Sequence, residues 1–426
     1  MQNGKIEIKR INGFRVANIY NNSNITFMGI GVIAGSNFET PNIYGISHFA
    51  EHMFFKGTKN RNWKEINEEF ASIGASQNAY TDNTEVLYHC TFPTKNIKKA
   101  IDLMGDMFFN SLLPLDELEK ERNVILEEKK MYDDDHTSFF YDNIGDKMFV
   151  EEKGHSTIGN VKTIKSIKRD NIVNYLNKNY CYENILFVFC GTTKTEKIIE
   201  YIKAILPDRH FSLKHGKKNI GDGFLWDNYF LKNAGNKKIK LLVKRDKITQ
   251  CQICLPLSGL GANDDSYLVQ TILFKCIGGG MYSILFSRIR EELGLCYSVG
   301  SGITNMSYPN CVLPMIYGNT SQKNVDLFIE ECEKELEKIK KNGLVKKNFE
   351  CAKTDLLSQT FRSTETSAGM ARNLVRALLF DKNKNVNDIV KKIEKTTIED
   401  CNKVARQVLD QQHNWAVMIP STSTHS

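Results

Sequence analysis

The chain has 426 residues, of which 41% are hydrophobic and 25% charged, a composition that excludes a disordered or fibrous protein. At roughly 100–200 residues per domain it has room for two or three domains. No apolar run approaches the ~18 residues of a membrane span, so an integral membrane protein is not expected. The net charge of +7 comes from lysines dispersed among glutamates, without a dense arginine stripe, so nucleic acid is not an expected partner.

The first residues, MQNGKIEIKRINGFRV, lack the uninterrupted apolar core of a secretory signal. Eleven cysteines are scattered from Cys90 to Cys401 without a repeating framework, which reads as reduced thiols in a cytoplasmic protein. Strand patterns open the chain at NGFRVANIYN and NITFMGIGVIAG. Helical patterns follow near 46–56, 64–73, 95–109 and 116–132, and the strand NILFVFCG closes the first half. A stretch of turn formers and charge, 207–223, separates it from the second half. There KKIKLLVKRD and TQCQICLPLSG read as strands. Helices are expected around 266–291, 324–341 and 345–360, then a final helix and the strand NWAVMIP.

The halves form a degenerate repeat. Lys95-Asn96-Ile97 and Lys323-Asn324-Val325 each open a helix, 228 positions apart. The strands ending at Gly35 and near Gly261 are offset by 226. An offset of this size points to duplicated domains rather than a solenoid, whose units run ~20–50 residues. The expected class is α+β, two homologous α/β-layer domains, each a sheet covered by helices on one face. The division drawn is 1–210, a linker 211–235, and 236–426.

The chemistry concentrates in GISHFAEHMFFKGT, residues 45–58. Ile46, Phe49, Ala50, Met53 and Phe54 form one apolar helical stripe, and Gly57 is placed to stop the helix in a left-handed conformation. His48 and His52 lie one turn apart, so their imidazoles project together and can share one zinc ion. Glu51 precedes His52 and is close enough to handle the proton of a water at the metal. With nine histidines in the chain, chance predicts roughly 0.02 HxxEH matches, and this order is the inverzincin signature. In the helix LEKERNVILEEK, Glu121, Ile125 and Glu128 fall at i, i+4 and i+7, so two carboxylates share a stripe with an apolar residue. Burying carboxylates is costly unless they are paired or coordinated, which makes Glu128 a candidate third ligand and Glu121 an acceptor for a histidine N–H. A solvated charged helix would satisfy the same spacing.

Together HFAEHMFFKGT, Glu128 in ERNVILEE, GASQNAYTDNTEVLYH (74–89) and GGGMYSILFSRIREELGLCYSV (278–299) closely resemble the pitrilysin-like zinc metallopeptidases. The nearest branch is the short one, with mitochondrial processing peptidase and its bacterial relatives. The resemblance implies one zinc per chain held by His48, His52 and Glu128, with Glu51 as general base and Glu121 supporting the site. It implies that Arg290 and Tyr297, seven residues apart, act on the substrate. It also implies domains that form half of a clam-shell chamber around a peptide. Arg290 and Tyr297 are expected to face the substrate across Gly294, which ends a helix, with Tyr297 opening the next strand. Asn78, Ala79, Tyr80 and Thr81 would pair with an extended substrate through main-chain hydrogen bonds. Cys296 and Ala50 depart from the usual residues but do not touch the chemistry.

The expected function is therefore zinc-dependent endopeptidase action on short or unfolded peptides, with leader removal and general turnover both compatible. The alternative is a non-catalytic or partner-dependent subunit of a heterodimeric processing peptidase. Because this chain holds both the zinc motif and the arginine–tyrosine pair, a homodimer is favoured over a heterodimer. Other motifs read as structural. GIGVIAG is a strand without a nucleotide fingerprint, Cys251 and Cys254 point to opposite strand faces, and Gly278-Gly279-Gly280 is a helix-end turn.

Overall fold

The computed structural model describes residues 4–149, 154–206, 238–307, 310–380 and 385–421, so the expected linker 211–235 lies outside the described residues. Among the described residues one sheet contains β1 (Ile6–Ile11), β2 (Phe14–Tyr20), β3 (Ile25–Val32), β4 (Ser76–Thr81), β5 (Val86–Pro93) and β6 (Ile185–Gly191). Its order is β1-β2-β6-β3-β5-β4. A second sheet contains β7 (Ile239–Arg245), β8 (Cys251–Pro256), β9 (Val299–Ser307), β10 (Cys311–Thr320) and β11 (Trp415–Pro420), in the order β7-β11-β8-β10-β9. Apart from β1 the two orders are the same. In each sheet a parallel pair, β2/β6 or β7/β11, is followed by antiparallel neighbours. Short 3-10 turns at Thr94–Asn96 and Gln322–Asn324 stand 228 residues apart, the spacing of the repeat. The chain is a duplicated α/β protein, as its sequence predicts.

Helices α1 (Ile46–Met53), α2 (Trp63–Ser72), α3 (Ile97–Phe109), α4 (Leu115–Asp134), α5 (His136–Met148), α6 (Val161–Ser166), α7 (Arg169–Asn179) and α8 (Thr195–Ile205) fall in the first half. The second half contains α9 (Tyr267–Gly278), a π-helical segment Phe286–Glu292, α10 (Val325–Asn342), α11 (Lys346–Arg362), α12 (Ser367–Leu379), α13 (Val386–Lys395) and α14 (Ile398–Val408). None of the described helices is long and apolar enough to cross a membrane.

The described residues divide into two compact units, and each takes in a segment from the other half of the sequence. The first comprises the described residues 4–130, 156–206, 361–380 and 385–388, and so includes α12. The second comprises the described residues 131–149, 154–155, 238–307, 310–360 and 389–421, and so includes α5. Helices α1, α3, α7 and α8 contribute to one core against the first sheet, where Phe14, Phe49, Phe54 and Phe187 are buried. In addition α12 packs on β3 and β6 and buries Leu374, Val375 and Leu378. In the second unit Phe140, Ile144 and Met148 of α5 pack with Leu241, Val243, Cys254 and Met418. Coverage on one face was the expectation, and α12 and α5 correct it. The reason is visible in β2 and β6, whose every residue is buried, as strands covered on both sides require. Cys251 and Cys254 of β8 fall into different cores, as their spacing implies.

Helix α1 starts at Gly45, whose φ of +92° and close approach to Ile158 O exclude a side chain: a Cβ there would lie 2.3 Å from that oxygen. The orphan N–H groups of its first turn are met by Glu39, which accepts from Gly45 N at 2.7 Å and Ser47 N at 2.8 Å. The helix ends at Met53, short of the expected stop at Gly57. Phe54, Phe55 and Lys56 leave it in tight turns, donating to the carbonyls of Glu51, His52 and Met53. Burial of Phe54 against Tyr88, with ring centres 4.9 Å apart, turns the chain inward first. Gly57, at φ +134°, sits in a bridge to Asn62 instead.

Candidate metal centre

The buried stripe of α1, with Ile46, Phe49, Ala50 and Met53 inaccessible to solvent, fixes the helix against the first sheet and sets the direction of its histidines. Four residues apart, His48 and His52 bring their Nε2 atoms to 3.3 Å. Helix α4 is anchored by buried Leu118 and Ile125, and it presents Glu121 and Glu128 on the side facing α1. Glu128 Oε2 lies 3.7 Å from His48 Nε2 and 3.6 Å from His52 Nε2. Among the described residues this trio is the group of histidine, cysteine and carboxylate donors arranged to hold a metal ion.

The donor set fits zinc. Nitrogen and oxygen ligands bind tetrahedral zinc at about 2.0–2.2 Å, which places them roughly 3.3–3.6 Å apart, close to the separations found here. The outer contacts also fit. His52 Nδ1 is 2.8 Å from Glu121 Oε1, which orients the ring and leaves Nε2 toward the trio. Glu121 is buried and also pairs with Lys56. Burial alone would raise the Glu121 carboxyl, but hydrogen bonds from His52 and Lys56 hold it below the usual range.

The remaining titrations follow from enclosure. Burial, with the neighbouring His52, pushes His48 down to about 3, so this imidazole is neutral and able to donate a lone pair. Burial would lower His52 too, yet its hydrogen bond to Glu121 and the nearby Glu51 raise it. Burial raises Glu128, with Glu121 adding to the effect against the opposing pull of His52. A divalent cation among the three donors would favour the ionised carboxylate and neutral imidazoles.

Glu51 is buried beside the trio, and Thr81 Oγ1 donates to its Oε2 at 2.6 Å. Burial raises its carboxyl above the ordinary value, while Thr81 and His52 pull it back. A raised carboxylate next to a metal is suited to taking and returning a proton. Thr81 ends β4, which forms one edge of the first sheet, with Asn78, Ala79 and Tyr80 on the same strand. Segment 74–89 holds β4 and the start of β5, which pair as an antiparallel hairpin.

Arg290 and Tyr297 lie in the second unit. The Arg290 guanidinium is 4.7 Å from the ring centre of Phe286 and 5.0 Å from that of Tyr297, while its Nε is 3.5 Å from Glu291 Oε1. Gly294, at φ +60°, follows the π-helical segment as expected. The next strand, however, begins at Val299, so Tyr297 precedes it and stands 80% exposed. The cause is local: Leu295 N turns back to Ile289 O, and the paired register with β10 starts at Val299.

The duplication explains why the second unit has no such trio among its described residues. Lys275 and Asp355 stand 227 positions after His48 and Glu128, and their side chains pair at 2.6 Å. The ammonium supplies within the chain the positive charge that a metal would bring. Gly278 and Gly279 stand the same distance after Glu51 and His52. The sequence already predicts a metal-free second half, since residues 266–285, the counterpart of the zinc helix, contain no histidine. The Thr81 and Lys56 contacts had no comparable signal, since each depends on how loops return to α1.

Fold and site together define a metalloendopeptidase built from a duplicated α/β domain. The chain belongs to peptidase family M16: residues 15–161 match the family described as Insulinase (Peptidase family M16), and 166–356 match the Peptidase M16 inactive domain. It is 30% identical to an uncharacterized zinc protease, YmxG, of Bacillus subtilis over 414 residues, 96% of this chain and 97% of that protein. It is 25% identical to the mitochondrial-processing peptidase subunit beta of Saccharomyces cerevisiae, over 97% of this chain and 90% of that one. The crystal structure of a protease from Helicobacter pylori shares the fold, with a TM-score of 0.86 at 20% identity over 98% of this chain and 100% of that chain.

Proposed function

We propose that this chain is a zinc endopeptidase that cuts short or unfolded peptides, with one zinc per chain held by His48, His52 and Glu128. The observation that carries this is the donor triangle with sides of 3.3, 3.7 and 3.6 Å and the buried carboxylate of Glu51 beside it. Bound there, zinc would polarise the scissile carbonyl and make a water nucleophilic near neutral pH. Glu51 takes the proton of the attacking water and delivers it to the leaving amine. Thr81, by donating to Glu51 Oε2, leaves the other carboxylate oxygen for that proton. Glu121 fixes the His52 ring.

The edge strand, Asn78 to Thr81, pairs with the substrate main chain. Such pairing selects extended chains, because strands of a folded protein already have their partners. Short peptides and denatured proteins should therefore be cleaved while the same proteins in compact form resist; equal cleavage of both forms would contradict the reading. Leader removal and general peptide turnover both use this chemistry. Possession of the zinc residues and the arginine–tyrosine pair in one chain supports action with a second copy rather than a different subunit. All eleven cysteines are free thiols, which supports a reducing compartment such as the cytoplasm.

Arg290 and Tyr297 are proposed to donate hydrogen bonds to a substrate carbonyl, more strongly as negative charge develops. Arg290→Ala and Tyr297→Phe should each reduce turnover, by about 10²–10³-fold if the donor meets the oxyanion itself. Zinc content and melting temperature should stay nearly unchanged, because the pairing with Glu291 is partly exposed and worth at most ~1 kcal/mol. Undiminished hydrolysis by either variant would return that residue to a surface role.

A further inference from the structure

The connection between β4 and β5, residues 82–85, carries two carboxylates at its ends, and both turn toward one side chain. Arg376 of α12 reaches Glu85 through Nε and Nη2, and Asp82 through Nη2. Glu85 is 2% exposed and also accepts from Thr84 Oγ1 at 2.8 Å. A buried carboxylate needs such a partner, and a guanidinium is the side chain that can span two carboxylates as a planar fork. The helix is itself held in place: Arg15 donates to Leu378 O at 2.9 Å and Leu379 O at 2.7 Å, and Ser367 Oγ donates to Ile25 O.

The turn is clamped from its other side too. Ser36 N donates to Asp82 O and Asn37 N to Asn83 O. The approach is so close that a Cβ on Gly35, at φ +124°, would lie 2.2 Å from Asp82 O. The residue entering this clamped turn is Thr81, whose hydroxyl holds Glu51.

We infer that Arg376 is a positioning residue for the general base: by clasping Asp82 and Glu85 it fixes Thr81, and through Thr81 the carboxylate of Glu51. The inference rests on the proposed role of Glu51. Arg376 lies beyond residue 356, where the second family match ends, so the matched segments do not include it. A helix late in the chain thus sets the geometry of a base more than 300 residues earlier.

The test is a double-mutant cycle on the full chain with Arg376→Lys and Thr81→Val, using a short fluorogenic peptide. Lysine keeps the charge that Glu85 requires but cannot hold both carboxylates. A misplacement of about 1 Å can cost up to roughly 10²-fold in rate, so each single variant should lose about ten- to a hundredfold in kcat with KM within twofold of wild type. Zinc content should be unchanged. The double variant should be no slower than Thr81→Val alone, because both changes release the same carboxylate. Independently of activity, amide exchange across residues 80–86 should quicken in zinc-free Arg376→Lys. If Arg376→Lys does not fold, Arg376→Gln with Glu85→Gln removes both charges and should give the same kinetic loss. Additive losses in the cycle, or unchanged exchange at 80–86, overturn the inference. Glu51→Gln run beside the cycle separates the two levels. An inactive Glu51→Gln with an additive cycle refutes only the role of Arg376, whereas an active Glu51→Gln refutes the base and its positioning together.

Discussion

Glu51→Gln should retain a full complement of zinc and lose nearly all peptide hydrolysis. Glutamine keeps the size of the side chain and can still accept the hydrogen bond that Thr81 now donates to Glu51, so the packing of α1 is preserved. Glu51 is not one of the three clustered donors, so the donor set for the metal stays complete in this variant. What glutamine cannot do is take a proton. General-base catalysis contributes typically 10²–10⁴-fold, and turnover should fall by at least that range. The effect should be on kcat, since glutamine removes the proton acceptor and leaves the proposed main-chain pairing with the edge strand in place. Metal analysis of the same preparation used for kinetics decides it. Wild-type activity in this variant would remove Glu51 from the mechanism.

The second large effect concerns the metal and its support. His52→Ala should lose zinc and hydrolysis together, because it removes one of three donors and also leaves buried Glu121 without one of its two partners. Glu121→Gln should be milder in a specific way. It keeps an acceptor for His52 Nδ1 but loses the ion pair with Lys56, and outer contacts of this kind are worth about 10–100-fold in metal affinity or activity. Its hydrolysis should recover as added zinc is raised, while that of His52→Ala should not. Zinc titration followed by activity separates the two, and equal behaviour of the variants would dismiss the outer role of Glu121.

The core of this site is legible in the sequence because it depends on helical spacing. His48 and His52, then Glu121, Ile125 and Glu128, sit on two helices whose apolar stripes fix which faces meet, and the observed bonds join those faces. Duplication is legible for a similar reason, as an offset of 226–228 that reappears in the shared strand order. Features that depend on distant parts of the chain are not. The end of α1 is decided by burial of Phe54, not by the glycine three residues on. The β4–β5 turn, Asp82-Asn83-Thr84-Glu85, lacks the glycine and proline that would mark a hairpin in the sequence. Beyond residue 360 the sequence predicts a single helix, whereas α12, α13 and α14 form there. Of these α12 covers the sheet of the first unit, and no local pattern announces that Arg376 meets Glu85 across 291 positions.

The measurement that bears most directly on the whole account is zinc stoichiometry joined to hydrolysis across chelation. Purified protein should contain one zinc per chain and cleave an unstructured peptide. A strong chelator should remove the metal and abolish cleavage, and stoichiometric zinc should restore both. A protein that folds, cleaves the peptide and is indifferent to the chelator, or one that binds no zinc at His48, His52 and Glu128, would contradict it.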